Sequence, residues 1–147
     1  MAQQHLDRLT ALDASFLHQE GAESHMHIGA LTTFDGPPPA FAELLELIDQ
    51  RLHLVPRYRQ RLASTPFDRG RPVWVDDTAF RLEYHVRHVA LPAPGDRDQL
   101  FALLSRIFST QLDRRRPLWE LWFVEGLDGG GFALIFKTHH SVIDGVA

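Results

Sequence analysis

The chain has 147 residues, of which 44% are hydrophobic and 23% charged, and its formal net charge is −4. This composition predicts a globular piece with a sizeable core, and the negative charge argues against nucleic-acid binding, which usually needs a basic stripe. Because the chain has no cysteine, a disulfide framework and a thiolate nucleophile are excluded. No stretch reaches the roughly 20 apolar residues of a membrane span, and residues 1–17 lack the apolar core of a secretory signal. We therefore expect a cytoplasmic protein.

The first two predicted elements are a short helix and a strand. Residues 12–17 combine two leucines and a phenylalanine with Asp13 and Ser15, either of which can cap a helix. Residues 26–34 are rich in strand-forming side chains and run into an Asp-Gly pair and three prolines, 37–39. This pattern predicts a strand with an abrupt end.

Two histidines near the start of this strand, His25 and His27, would share one of its faces. Such a pair can contribute to a metal site, but a third ligand is needed and the sequence offers no clear one. We interpret both as ordinary strand histidines and predict no metal site.

Apolar residues at helical spacing predict two longer helices. One spans residues 40–54, and the other follows Asp96 as its N-cap and runs to about Thr110. The polar face of the first helix is acidic rather than basic, so packing against a sheet is a better interpretation of its apolar stripe than membrane contact.

Between these helices the sequence predicts a charged segment and two short strands. The charged segment holds three arginines at alternate positions, which form either a solvated face or a contact to phosphate groups: Arg57, Arg59 and Arg61. Residues 73–75 and 80–86 are predicted to form two strands on either side of an Asp-Asp turn.

A hairpin of two nearly continuous apolar strands is predicted next, from residues 117–125 and 131–138. The glycine run at 129–131 lacks the lysine and the following helix of a phosphate-binding loop. The apolar character of both strands favours a central, covered position, which is a rigid support for the residues that follow.

The candidate site follows this hairpin and contains His139, His140, Asp144 and Gly145. Neighbouring side chains on a strand point to opposite faces, so only one histidine can enter a given cavity. A neutral imidazole can accept a proton from a hydroxyl beside it. Asp144 could orient that ring or hold the loop, and Gly145 permits a sharp turn or a close approach by substrate. These residues predict a centre for proton transfer.

The segment HHSVIDG, residues 139–145, resembles the HHxxxDG signature of the CoA-dependent acyltransferase superfamily. The rest of the chain resembles the N-terminal part of the bacterial wax ester synthase/diacylglycerol acyltransferase family. Four further stretches carry this resemblance in order and spacing: LDASFL at 12–17, HIG at 27–29, PRYRQRL at 56–62 and PLWE at 117–120. The similarity extends over essentially the whole chain, and the combination is more specific than any one motif.

The resemblance implies an α/β (α+β) fold, with a mixed sheet flanked by helices. It would be the N-terminal lobe of a two-lobe, chloramphenicol acetyltransferase-like fold in which the reaction occurs in a tunnel between the lobes. Because chains of the family are much longer, we expect residues 1–147 to be this lobe alone. We expect the C-terminal lobe to be a second polypeptide, separated by cleavage near the histidine motif.

The resemblance also implies a reaction, with His140 as the general base. It takes the proton of an acceptor hydroxyl that attacks an acyl-CoA thioester directly, without a covalent acyl-enzyme. The acceptor is diacylglycerol or a long-chain alcohol, acyl-CoA is a co-substrate, and no permanently bound cofactor is expected. His139 is assigned to orientation or packing and Asp144 to shaping the loop. The remaining motif residues are expected to be structural: Gly145, Pro117, Leu118 and Trp119.

Two other functions stay open from the sequence. A condensation or polyketide-ester acyltransferase shares the histidine motif but takes its acyl group from an acidic carrier protein, which a basic patch such as residues 57–61 would receive. A non-catalytic lobe that binds lipid is the other alternative. In the acyltransferase interpretation, the lipid substrates imply peripheral association with a membrane or with lipid droplets.

Overall fold

A computed structural model describes residues 7–65 and 70–143 of the chain. In this part the strands are β1 Asp7–Arg8, β2 His27–Phe34, β3 Gln60–Ala63, β4 Val73–Asp76, β5 Val86–Ala90, β6 Trp119–Glu125 and β7 Phe132–His139. The α-helices are α1 Ala11–Gln19, α2 Phe41–Leu52, α3 Leu82–His85 and α4 Arg97–Phe108.

The main sheet has four strands in the order β2-β7-β6-β5. β7 pairs antiparallel with both β2 and β6, whereas β5 runs parallel to β6, so the sheet is mixed. A smaller antiparallel sheet has the order β1-β4-β3. The predicted mixed α/β architecture is confirmed, and the strand that leads to the histidines is central in the main sheet.

The two faces of the main sheet are covered by different helices. On one face, Ala133 and Ile135 of β7 are buried with Leu100 and Ile107 of α4. On the other, Phe136 packs in a cluster with residues of α2. Because β7 is covered on both faces, its end is held in a fixed position.

All three predicted helices are observed, but the first has a different cap from the one predicted. The helix predicted at 40–54 is α2, and the helix predicted after Asp96 is α4, where Asp96 and Gln99 form a reciprocal capping box. The short N-terminal helix is also present as α1, but neither predicted residue caps it. Instead, the hydroxyl of Thr10 accepts a hydrogen bond from the backbone N–H of Asp13 at 3.1 Å.

The prediction of a strand at residues 80–86 is wrong. The segment forms the helical turn α3 and only then the strand β5, which lies parallel to β6. The buried ring of His85 hydrogen-bonds through Nδ1 to the carbonyl oxygen of Trp119 at 2.8 Å, a distant contact that local side-chain pattern does not report. The end of the arginine-rich segment forms β3, which pairs with β4 and was not predicted from the sequence.

Candidate functional site

The two adjacent histidines occupy different environments at the end of β7. His139 is fully buried, and its backbone N–H donates to the carbonyl oxygen of Leu118 at 3.0 Å. His140 begins a turn and is only partly buried, with its ring stacked on Phe16 at a centroid distance of 4.2 Å. The backbone N–H of His140 donates to the carbonyl oxygen of Met26 at 2.8 Å. Of the two residues, His140 is therefore the more accessible.

The hydrogen bonds of His139 fix its neutral tautomer. Its Nδ1 accepts from the backbone N–H of Ser141 at 3.1 Å and also lies 2.8 Å from the Ser141 hydroxyl. A neutral ring that accepts at Nδ1 carries its proton on Nε2. That Nε2 lies 3.6 Å from Oε2 of Glu20. Burial lowers the pKa of His139, against the opposing influence of the Glu20 carboxylate, so the ring is neutral near pH 7.

Glu20 is a buried carboxylate beside both strands of the site, with only 1% of its side chain exposed. Its Oε2 accepts hydrogen bonds from Gln111 at 2.9 Å and from Nε and Nη2 of Arg114 at 3.1 and 2.8 Å. Its Oε1 lies 3.3 Å from Nε2 of His27. Burial by itself raises the pKa of Glu20, but the hydrogen bonds from Gln111 and Arg114 and the neighbouring His139 outweigh it and lower the pKa to about 2. The group is therefore ionised at neutral pH.

The segment Pro117, Leu118 and Trp119 packs directly behind the histidine turn and is buried. The carbonyl oxygen of Leu118 accepts from the Thr138 hydroxyl at 3.1 Å, in addition to the bond from the backbone of His139. The indole N–H of Trp119 donates to the carbonyl oxygen of Tyr58 at 2.8 Å. This motif therefore supports the end of β7 from the side of β6.

The model of the wax ester synthase/diacylglycerol acyltransferase catalytic domain matches residues 9–147 of the chain. The chain belongs to this family. A probable diacylglycerol O-acyltransferase of Mycobacterium tuberculosis strain H37Rv, tgs1, is 46% identical over 144 residues, which cover 97% of this chain and 31% of that relative. A second protein of that strain with the same description, tgs3, is 43% identical over 141 residues, covering 95% of this chain and 52% of the relative.

Two solved structures are similar to the chain, one from the same family and one in fold only. The wax ester synthase/diacylglycerol acyltransferase from Marinobacter aquaeolei VT8 superposes with a TM-score of 0.81 at 38% identity, covering 95% of this chain and 35% of that one. The first condensation domain of a calcium-dependent antibiotic synthetase is similar in fold, with a TM-score of 0.74 at 20% identity, over 95% of this chain and 34% of that one. The chain thus spans about a third to a half of the length of these relatives.

In this wax ester synthase/diacylglycerol acyltransferase lobe, the structure places some of the predicted site residues and not others. His139, His140 and the PLW segment meet at the end of β7, as described above. Asp144 and Gly145 lie outside the described residues. In the arginine-rich segment, Arg57 pairs with Asp7, and Arg59 lies over the ring of Phe80 at 5.1 Å.

The sequence interpretation missed three residues of the site. Glu20 belongs to no motif that was recognised, and its partners Gln111 and Arg114 are 91 and 94 residues away along the chain. No periodicity or spacing links positions so far apart, so a single sequence gives no signal for this cluster. The ring of Phe16, in the predicted N-terminal helix, stacks on His140.

Within residues 7–65 and 70–143 there is no group of three or more histidine, cysteine, aspartate or glutamate side chains placed to hold a metal ion. None of the helices described there is long and apolar enough to cross a membrane.

Five surface cavities of about 350 to 510 Å³ have linings that include neither His139 nor His140.

Proposed function

We propose that this chain is the N-terminal lobe of an O-acyltransferase that moves a long-chain acyl group from acyl-CoA to diacylglycerol or to a long-chain alcohol. The observation that carries the proposal is that His140, at the end of a covered central strand, is partly exposed while His139 is fully buried. Phe16 and the backbone of Met26 hold this residue in place. The family and the names of its mycobacterial and Marinobacter relatives supply the reaction class.

In the proposed reaction, His140 is the general base and then the general acid. It accepts the hydroxyl proton of the acceptor as the hydroxyl oxygen attacks the thioester carbonyl carbon. The tetrahedral intermediate collapses with breakage of the carbon–sulfur bond, and the departing thiolate takes the proton from the imidazolium of His140. Acyl-CoA is a co-substrate, and the reaction requires no permanently bound cofactor.

The other predicted residues have supporting roles in this proposal. His139 orients the turn, Asp144 shapes the following loop, Gly145 makes the turn in that loop possible, and the PLW segment supports β7. A second lobe completes the tunnel for the acyl chain and the acceptor. Because both lipid substrates partition into membranes and lipid droplets, we propose that the whole enzyme works at such a surface as a peripheral protein.

The test is the His140→Ala variant of the complete enzyme, meaning this chain together with the second lobe that the proposal requires. Removing a general base lowers kcat by about 10²- to 10⁴-fold, which is measured as thiol release from a long-chain acyl-CoA with diacylglycerol or hexadecanol as acceptor. His53→Ala, which truncates an exposed histidine at the end of α2, is the matched control and should retain wild-type activity. Full activity of His140→Ala would refute the role of His140.

A further inference from the structure

We propose that Glu20 is a positioning residue for this reaction, because it accepts a hydrogen bond from the backbone of Met26 and lies against the ring of His139, on either side of the histidine turn, and so fixes the ring of His140. The inference rests on the function proposed above, in which His140 is the base. Glu20 touches no reacting atom in this scheme and acts through His139 and Met26.

The two carboxylate oxygens of Glu20 contact different strands. The residue caps the end of α1, and its backbone N–H donates to the carbonyl oxygen of Phe16. Its Oε1 faces the start of β2, 3.4 Å from the backbone nitrogen of Met26 and 3.3 Å from Nε2 of His27. Its Oε2 faces the end of β7, 3.6 Å from Nε2 of His139. One carboxylate therefore spans the two strands beside the turn.

The carboxylate is itself held rigidly. Three nitrogens of Gln111 and Arg114 donate to Oε2 at 2.8–3.1 Å. One of them, Nη2 of Arg114, also donates to the carbonyl oxygen of Leu17 at 2.7 Å. These donors come from the segment that follows α4. Because a buried carboxylate with charged and neutral donors has little rotational freedom, it defines the position of the groups that it faces.

Two routes lead from Glu20 to His140. In the first, Glu20 faces Nε2 of His139 while Ser141 donates to Nδ1 of the same ring, so the residues before and after His140 are tied together. In the second, the backbone N–H of Met26 donates to Glu20, and the carbonyl oxygen of Met26 accepts from the backbone N–H of His140 at 2.8 Å. Both routes end on the backbone of the turn that carries the base.

The other charged or titratable groups near this network are already engaged. Lys137, the buried cation of β7, donates through Nζ to the carbonyl oxygens of Ile107 and Thr110 at the end of α4. His25 stacks on the ring of His27 and hydrogen-bonds to the carbonyl oxygen of Ser109 at 3.1 Å. Arg114 is therefore the cation that directly opposes the charge of Glu20.

The experiment is a double-mutant cycle in the complete enzyme, with the variants Glu20→Gln, His139→Gln and both together. A misplaced base costs up to about 100-fold in rate, so we expect Glu20→Gln to lower kcat by roughly 10- to 100-fold while KM for acyl-CoA stays unchanged. If both residues act on the same turn, the double variant is no slower than the slower single variant. Losses that multiply would overturn the route through His139, and wild-type kcat in folded Glu20→Gln would overturn the inference as a whole.

A second readout does not depend on turnover. In enzyme with ¹³C-labelled histidine, we expect the ring resonances of His140 to shift in Glu20→Gln and to stay in place in Glu23→Gln, a control at an exposed carboxylate in the same loop. Unmoved His140 resonances in Glu20→Gln would overturn the inference. By contrast, an inactive wild-type enzyme or an active His140→Ala variant would refute the proposed function, while the spectra would still decide the role of Glu20.

Discussion

At the residue scale, the site combines the buried carboxylate of Glu20, paired with the exposed Arg114, with two neutral histidines, His27 and His139. Burial is the main cause that lowers the pKa of His27 to about 4, and the positive charge of Lys137 acts in the same direction against the carboxylate of Glu20. Burial likewise lowers the pKa of His139. Glu20 and Arg114 therefore carry the charge of this cluster at neutral pH, and both rings present neutral nitrogen atoms to the carboxylate.

These lowered pKa values predict a loss of stability in acid. In the unfolded chain His27 binds a proton near pH 6.5, whereas in the folded chain it does so only near pH 4. Its contribution to stability is therefore complete above about pH 6.5 and falls as the pH decreases towards 4, by up to about 1.4 kcal/mol per pH unit for one such group. The measurement is the free energy of urea unfolding between pH 7 and pH 4.5.

A substitution separates His27 from the other titrating groups. We expect His27→Gln to flatten the decline of stability between pH 6.5 and 4.5, because one proton no longer binds preferentially to the unfolded chain. His53→Gln, at an exposed histidine, should leave the decline as it is in the wild type. If the free energy of unfolding fell with pH equally in His27→Gln and in the wild type, His27 would not be the group responsible for the decline.

At the scale of elements, the site depends on how closely β2 lies against β7. The two strands are paired from His27 opposite His139 to Phe34 opposite Phe132. Near the site, Gly29 lies so close to its surroundings that a Cβ atom there would collide with the carbonyl oxygen of Phe136 and the ring of Phe108. The glycine of the HIG motif is thus explained by contact between β2, β7 and α4.

This contact predicts that Gly29→Ala destabilises the fold. Overpacking a well-filled site costs typically 1–3 kcal/mol, and here one of the colliding atoms belongs to backbone that cannot rotate away. The matched control is Gly21→Ala, because a Cβ at Gly21 meets nothing within 4 Å. The free energy of unfolding at pH 7 is the measurement. Equal stability of the two variants would show that α4 and β7 yield without cost.

At the scale of the whole molecule, the parts that could be predicted from sequence are those with a local signal. The helices α2 and α4 and the hairpin of β6 and β7 follow from apolar spacing, caps and a glycine turn, and the histidine motif carries its own family signature. The helix α3 and the Glu20 cluster could not be predicted, because both depend on contacts between distant segments. Part of the site follows from short-range pattern, whereas its supporting network depends on tertiary packing.

The last prediction concerns the need for a second lobe. His140 is partly exposed in this lobe, and a thioester reaction gains from exclusion of water, which strengthens the electrostatic interactions inside a closed site. We therefore expect this chain alone to release thiol from acyl-CoA no faster than its His140→Ala variant does. A chain covering the remaining length of the relatives, added as a separate polypeptide, should restore turnover with the wild-type lobe but not with His140→Ala. Acyl transfer to diacylglycerol by the 147-residue chain alone would show that one lobe is sufficient.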